Sequence, residues 1–65
     1  MCLLKVYLEK ENERKLFAKD IALIVQEGEG FKLLGLDLKG EDVLETVEVS
    51  LVDTFNSIMV FKPKK

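Results

Sequence analysis

The chain has no histidine, no tryptophan, one cysteine and one proline among its 65 residues. Without histidine it cannot assemble a Ser-His-Asp or Cys-His set within one chain, so catalysis by that kind of activated nucleophile is excluded. A lone cysteine makes no internal disulfide, as expected in a reducing compartment. No apolar run approaches the ~20 residues of a membrane helix. The N-terminus also lacks the basic stretch and apolar core of a secretory signal, so the expectation is a cytoplasmic protein with no membrane partner. Positive charge is not in surplus: 10 Lys and Arg stand against 12 Asp and Glu, for a formal charge of -2 and a pI of about 5.0. Nothing global draws this chain to nucleic acid, and the only basic cluster is the short "KPKK".

What is present is a globular balance, 48% hydrophobic and 34% charged, which reads as one domain over residues 1–65. At this length only ~60% of the unfolded surface is buried, so a partner chain would add stability. Cys2, Leu4, Val6 and Leu8 alternate with Leu3, Lys5, Tyr7 and Glu9, the period-two pattern of a strand with one core face. The polar "EKENER" reads as a loop of several residues and "KLFAK" as a short second strand. "DIALIVQ" reads as a further strand. It runs into "EGEG", where Gly28 and Gly30 can supply the positive φ of a tight turn. The return strand "FKLLGLDL" carries Leu34, Leu36 and Leu38 on one face and Gly35 at a bulge or close approach, and "KGED" closes it.

"DVLETVEVSLVD" fits two patterns. Asp42 followed by Glu45 resembles a capping box, which would start residues 42–47 with a helical turn. The β-branched content of "TVEVSLV" favours a strand, and the strand is the preferred reading. After the turn "DTFNS", "IMVFK" forms the last strand, which Pro63 ends for want of an N–H. Five or six strands in sequential hairpins suit a small closed or nearly closed all-β barrel that protects its edges.

The acid pairs in "EGE", "GED" and "VEV" read as solvated surface, because no apolar pocket is evident to shift their pKa. The glycines match no phosphate-binding pattern, and Glu29 between them would repel phosphate. Phe17, Phe31, Phe55 and Phe61, with Tyr7, read as core and interface, since the lysines alternate with glutamates and form no basic groove.

That leaves Cys2. One reading is a small buried hydrophobe in the first row of a core strand. The other rests on position: a side chain this small permits removal of the initiator methionine, leaving Cys2 with both a free α-amino group and a thiol of lowered pKa. If Met1 stays, its amine and the Cys2 amide close the same chelate ring. One chain offers too few donors for a first-row metal, but a two-fold dimer would join two thiolates and two nitrogens around one ion. Such a set suits square-planar nickel(II) or copper(II) better than tetrahedral zinc.

Met1-Cys2 followed by an aliphatic pair and "KVYL", "DIALIVQEGEG" with Asp20 opening and Glu27-Gly28 closing, the acidic "LDLKGED", and the final "VSLVD…IMVF" hairpin together resemble the CooT-type family of small nickel-binding proteins. The resemblance covers nearly the whole chain. It implies an SH3-like β-barrel of five to seven short antiparallel strands and a homodimer. It also implies nickel(II) at the dimer interface, held by Cys2 with the N-terminal backbone at Met1 and Cys2 of both chains. The implied role is that of a metallochaperone-like carrier or sensor without enzymatic turnover, serving maturation of a nickel enzyme such as carbon monoxide dehydrogenase. Similar sequences are also catalogued as predicted RNA-binding proteins. The alternative is therefore a small barrel that binds RNA or a protein partner without metal, for which Lys5, Lys32, Lys62, Lys64 and Lys65 are the available cations.

Overall fold

The computed structural model describes residues 3–36 and 40–64, leaving Met1, Cys2, Lys65 and the 37–39 part of the expected third return strand and turn outside the description. It is all-β. The strands are β1 (Leu4–Lys10), β2 (Glu13–Glu27), β3 (Gly30–Gly35), β4 (Glu41–Leu44), β5 (Val47–Asp53) and β6 (Ile58–Pro63). They form one sheet in the order β4-β3-β2-β1-β6-β5. Their number falls within the expected five to seven.

The antiparallel expectation fails at one ladder. β1 and β6 pair in parallel, Lys5 to Ile58 through Leu8 to Phe61, because the last strand returns beside the first after a hairpin that has already reversed its direction. The ladder also stops short of a closed barrel. β4 and β5 meet end to end at Glu45–Thr46, pinned by the Val47 N–H donating to the Glu29 carbonyl (3.0 Å) and the Lys64 N–H donating to that of Thr46 (2.9 Å). Thr46 takes φ +58° to make this corner, an uncommon conformation for a β-branched residue. The segment 42–53 is thus two strands around a bend, with no helical turn.

The opposite corner lies inside β2, where "KLFAK" and "DIALIVQ" are one continuous strand. Its N-terminal part pairs with β1 and its C-terminal part with β3. Against β1, Phe17 is an extra residue between the Val6 and Tyr7 pairings, and Lys19 and Asp20 together oppose Lys5 alone. Asp20 has φ +59°, which its short polar side chain tolerates better than most. Bulges of this kind let one strand serve two sheets that cross at an angle. Asp20→Gly is accordingly expected to be neutral or stabilising. Asp20→Val should cost about 1–2 kcal/mol from the left-handed backbone alone, and urea midpoints of the two variants give the comparison.

Two further expectations change. The first loop is only Glu11–Asn12, with φ +51° and +67° and Lys10 paired to Glu13, the sign pattern of a type I′ hairpin. The charged flanks that suggested a longer loop are exposed strand ends. Gly28 has positive φ, as expected, but Gly30 does not; it serves close approach instead, since a Cβ there would run into the Leu44 carbonyl and reach Glu45 Cα at 2.9 Å.

The contiguous core cluster is Val6, Ile21, Leu33, Leu44, Val47 and Phe61, with Leu4, Leu8, Ala18, Ile24, Phe31 and Met59 packed against it, and Val60 is also fully buried. Leu4, Val6 and Leu8 confirm the first-strand row. In β3 the core parity is Phe31 and Leu33, leaving Leu34 half-buried and Leu36 exposed. Phe31 and Phe61 pack with centroids 4.7 Å apart at 39°, within the range of favourable aromatic pairs.

Candidate functional site

The N-terminal end of β1 carries the one residue the sequence singles out. Cys2 and Met1 lie outside the described residues, so the structure locates the strand to which they are joined. Leu3 and Leu4 are half-buried, and Leu4 pairs with Ile21 of β2. On the other flank the Lys5 N–H donates to the Ser57 carbonyl at 3.0 Å. The chain therefore enters the fold between the bend of β2 and the turn joining β5 to β6.

That turn is tightly organised. Asp53 Oδ1 accepts the N–H groups of Phe55 (3.0 Å) and Asn56 (3.1 Å), and its Oδ2 accepts the Asn56 side-chain amide at 2.9 Å. Hydrogen bonding, first from the Asn56 side chain and then from the Asn56 backbone, holds the Asp53 carboxyl below its usual range. The turn presents Phe55 almost wholly to solvent, 93% exposed. The sequence signal is the Asp-x-x-Asn spacing, a recognised turn-former, whereas composition alone put Phe55 with core and interface residues.

The acidic residues gather elsewhere. Glu27, Glu29 and Glu45 rim a groove of about 300 Å³ floored by Phe31, Val43 and Leu44. Two of the three face cations: Glu27 is 3.0 Å from Lys32, and Glu29 is 3.9 Å from Lys64. The hydrogen bond to Glu27, with the charges of Glu27 and Glu41, raises the Lys32 pKa. Among the described residues, no three His, Cys, Asp or Glu side chains stand together in a way that could hold a metal ion.

The lysines do not converge. Lys32 is taken by Glu27 and Glu41, and Lys64 by Glu29. Lys62 lies opposite Glu48 across the β5–β6 ladder, Lys5 lies on β1 opposite Ile58, and Lys65 is outside the described residues. Of the aromatics, Phe61 is buried and Phe31 packs on the core, while Phe17 is exposed on β2 and Phe55 in the turn between β5 and β6. Among the described residues, these lysines and aromatic rings form no shared basic face. Among the described residues no helix is long and apolar enough to cross a membrane.

No family model and no curated protein matches the sequence. The fold has a close counterpart in the crystal structure of the "putative CooT" of Carboxydothermus hydrogenoformans. The TM-score is 0.84, covering 98% of this chain and 100% of that one at 11% identity. At that identity the likeness is one of fold.

Proposed function

We propose that this chain is a nickel(II)-binding accessory protein, a dimeric carrier or sensor that works in the cytoplasm without turnover. The observation that carries the reading is the end-to-end likeness in fold to a protein named as a CooT, in a chain that begins Met1-Cys2 and has no histidine. Nickel is cargo in this reading. The Cys2 thiolate and the N-terminal nitrogens at Met1 and Cys2 of two protomers hold the ion, and its destination is a nickel enzyme of the carbon monoxide dehydrogenase kind. A thiolate and a nitrogen in one chelate ring from each chain suit a square-planar d⁸ ion.

The RNA-binding alternative draws no support from the placement of the lysines. The test is native mass spectrometry of untagged protein with nickel(II), beside Cys2→Ser. One nickel per dimer, lost in the variant, is the expected result. Binding that is indifferent to Cys2 would make the thiol a packing residue and end the nickel reading.

A further inference from the structure

Val60 is fully buried and yet stands outside the contiguous core cluster. Its neighbours along β6, Met59 and Phe61, belong to the core side, so alternation turns Val60 to the outer face of the sheet. Residues paired across the ladders share that face. Val60 pairs with Tyr7 of β1 and Leu51 of β5, and Tyr7 in turn with Leu16 of β2. An apolar row, Leu16–Tyr7–Val60–Leu51, therefore crosses four strands on the side that a one-layered sheet ordinarily leaves polar. Leu16 is 52% and Leu51 38% exposed, while the covered Val60 is the floor of a depression between Tyr7 and Leu51.

Beside this row the same face carries a row of charge. Glu9 pairs with Arg14 across β1 and β2, and Glu48 with Lys62 across β5 and β6. The Ser50 hydroxyl reaches over β6 to Glu9 Oε1 at 3.0 Å, which puts both halves of the row on one face. In the strand order β2-β1-β6-β5 the row reads Arg14, Glu9, Lys62, Glu48: plus, minus, plus, minus. Among the described residues none of the four is in an ion pair within the chain. A row of alternating sign has no net attraction for an acidic or a basic partner. It is complementary to itself in reverse order.

We infer that this face is where two copies of the chain stack sheet on sheet, about a two-fold axis parallel to the strands and midway between β1 and β6. The rotation lays β2 over the partner's β5 and β1 over the partner's β6, at the ~10 Å spacing of packed sheets. Arg14 then meets the partner's Glu48 and Glu9 the partner's Lys62, each pairing occurring twice. In the apolar row Leu16 meets the partner's Leu51, and Tyr7 fills the depression over the partner's Val60. The pairing rests on charge and burial, independently of the nickel reading. It is compatible with that reading, because this axis brings the two β1 starts to the same end of the dimer, about 11 Å apart.

The test is sedimentation equilibrium of the metal-free full chain across a concentration series at low ionic strength. In Arg14→Glu a carboxylate faces the partner's Glu48, and in Glu48→Arg a guanidinium faces the partner's Arg14. Within one chain positions 14 and 48 stand three strand spacings apart, about 14 Å, so the double variant Arg14→Glu/Glu48→Arg restores a pairing only between chains. Both positions are exposed, and a general folding defect would persist in the double. The expected result is a wild-type dimer, a dissociation constant raised about tenfold or more in each single variant, and recovery in the double. Tyr7 supplies the second readout, as the only tyrosine in a chain without tryptophan: quenching of its fluorescence by acrylamide should fall as the wild type dimerises. A double variant no tighter than the singles, or a dimer whose Tyr7 is quenched as readily as the monomer's, would overturn the face while leaving the nickel reading intact. A wild type that stays monomeric across the series also overturns it and leaves the face to a different partner. Cys2→Ser that keeps the metal-free dimer supports the face, whether or not nickel binding survives. A metal-free dimer lost in Cys2→Ser would move assembly to the chain start and overturn it.

Discussion

Replacing Phe61 by alanine is expected to leave the chain largely unfolded at 25 °C. The ring is fully buried, at the centre of the one core cluster and against Phe31. Removing a buried phenylalanine costs about 3–5 kcal/mol through lost transfer energy and the cavity left behind. A domain of this length has only about 3–10 kcal/mol to lose. The remaining core is aliphatic and small, and it lies inside a sheet bent at two corners, so it has little freedom to collapse inward. A thermal melt by circular dichroism reads the outcome. A shift of only a few degrees would mean that the bent sheet closes on the cavity more readily than its corners suggest.

The second large effect is expected from Gly30→Ala. Its backbone does not take positive φ, so the substitution meets no conformational penalty of the left-handed kind. The obstacle is space. The new methyl would overlap the Leu44 carbonyl and press on Glu45 Cα, and these are backbone atoms next to the strained Thr46. Overpacking typically costs about 1–3 kcal/mol, and the upper end applies where the neighbour cannot rotate away. The same shift would pull the Val47 N–H from the Glu29 carbonyl, so the loss should spread to the start of β5. Gly28→Ala is the control: it has no atom within 4 Å but keeps φ +61°, so it should cost only about 1–2 kcal/mol. Urea midpoints that place Gly28→Ala below Gly30→Ala in stability would reverse this assignment.

These two residues also show how far the sequence could be read. Alternation in Leu4, Val6 and Leu8 was enough to place the first core row, because a half-buried strand writes its burial into its period. In "FKLLGLDL" adjacent leucines satisfy both parities, and only packing chose Phe31 and Leu33. The β2 bend was legible only as two separate strands, since a bulge breaks the register where the polar Lys19 and Asp20 interrupt the apolar run. Gly30 read as a conformational glycine because clearance to a strand distant in sequence leaves no local mark. The parallel β1–β6 ladder was invisible for the same reason. At the candidate site the contrast is sharper: Cys2 was conspicuous in the sequence by what surrounded it, whereas the place of the Asp53-centred turn beside the chain start emerged only in the fold.

The parallel pairing of β1 with β6 sets the order in which this chain can be made. A ribosome delivers β1, β2 and β3 first, and these can zip as neighbouring hairpins on the timescale of local contacts. Val6 and Leu8 nevertheless lack their second flank until Met59 and Phe61 have been synthesised. Closing that longest loop is entropically the slowest step and contributes stability only at the end. Throughout translation the nascent chain therefore displays one bare side, that of β1 awaiting β6. A stalled or truncated product lacking β6 should accordingly be a substrate for chaperones and proteases, and the finished chain should be protected from both.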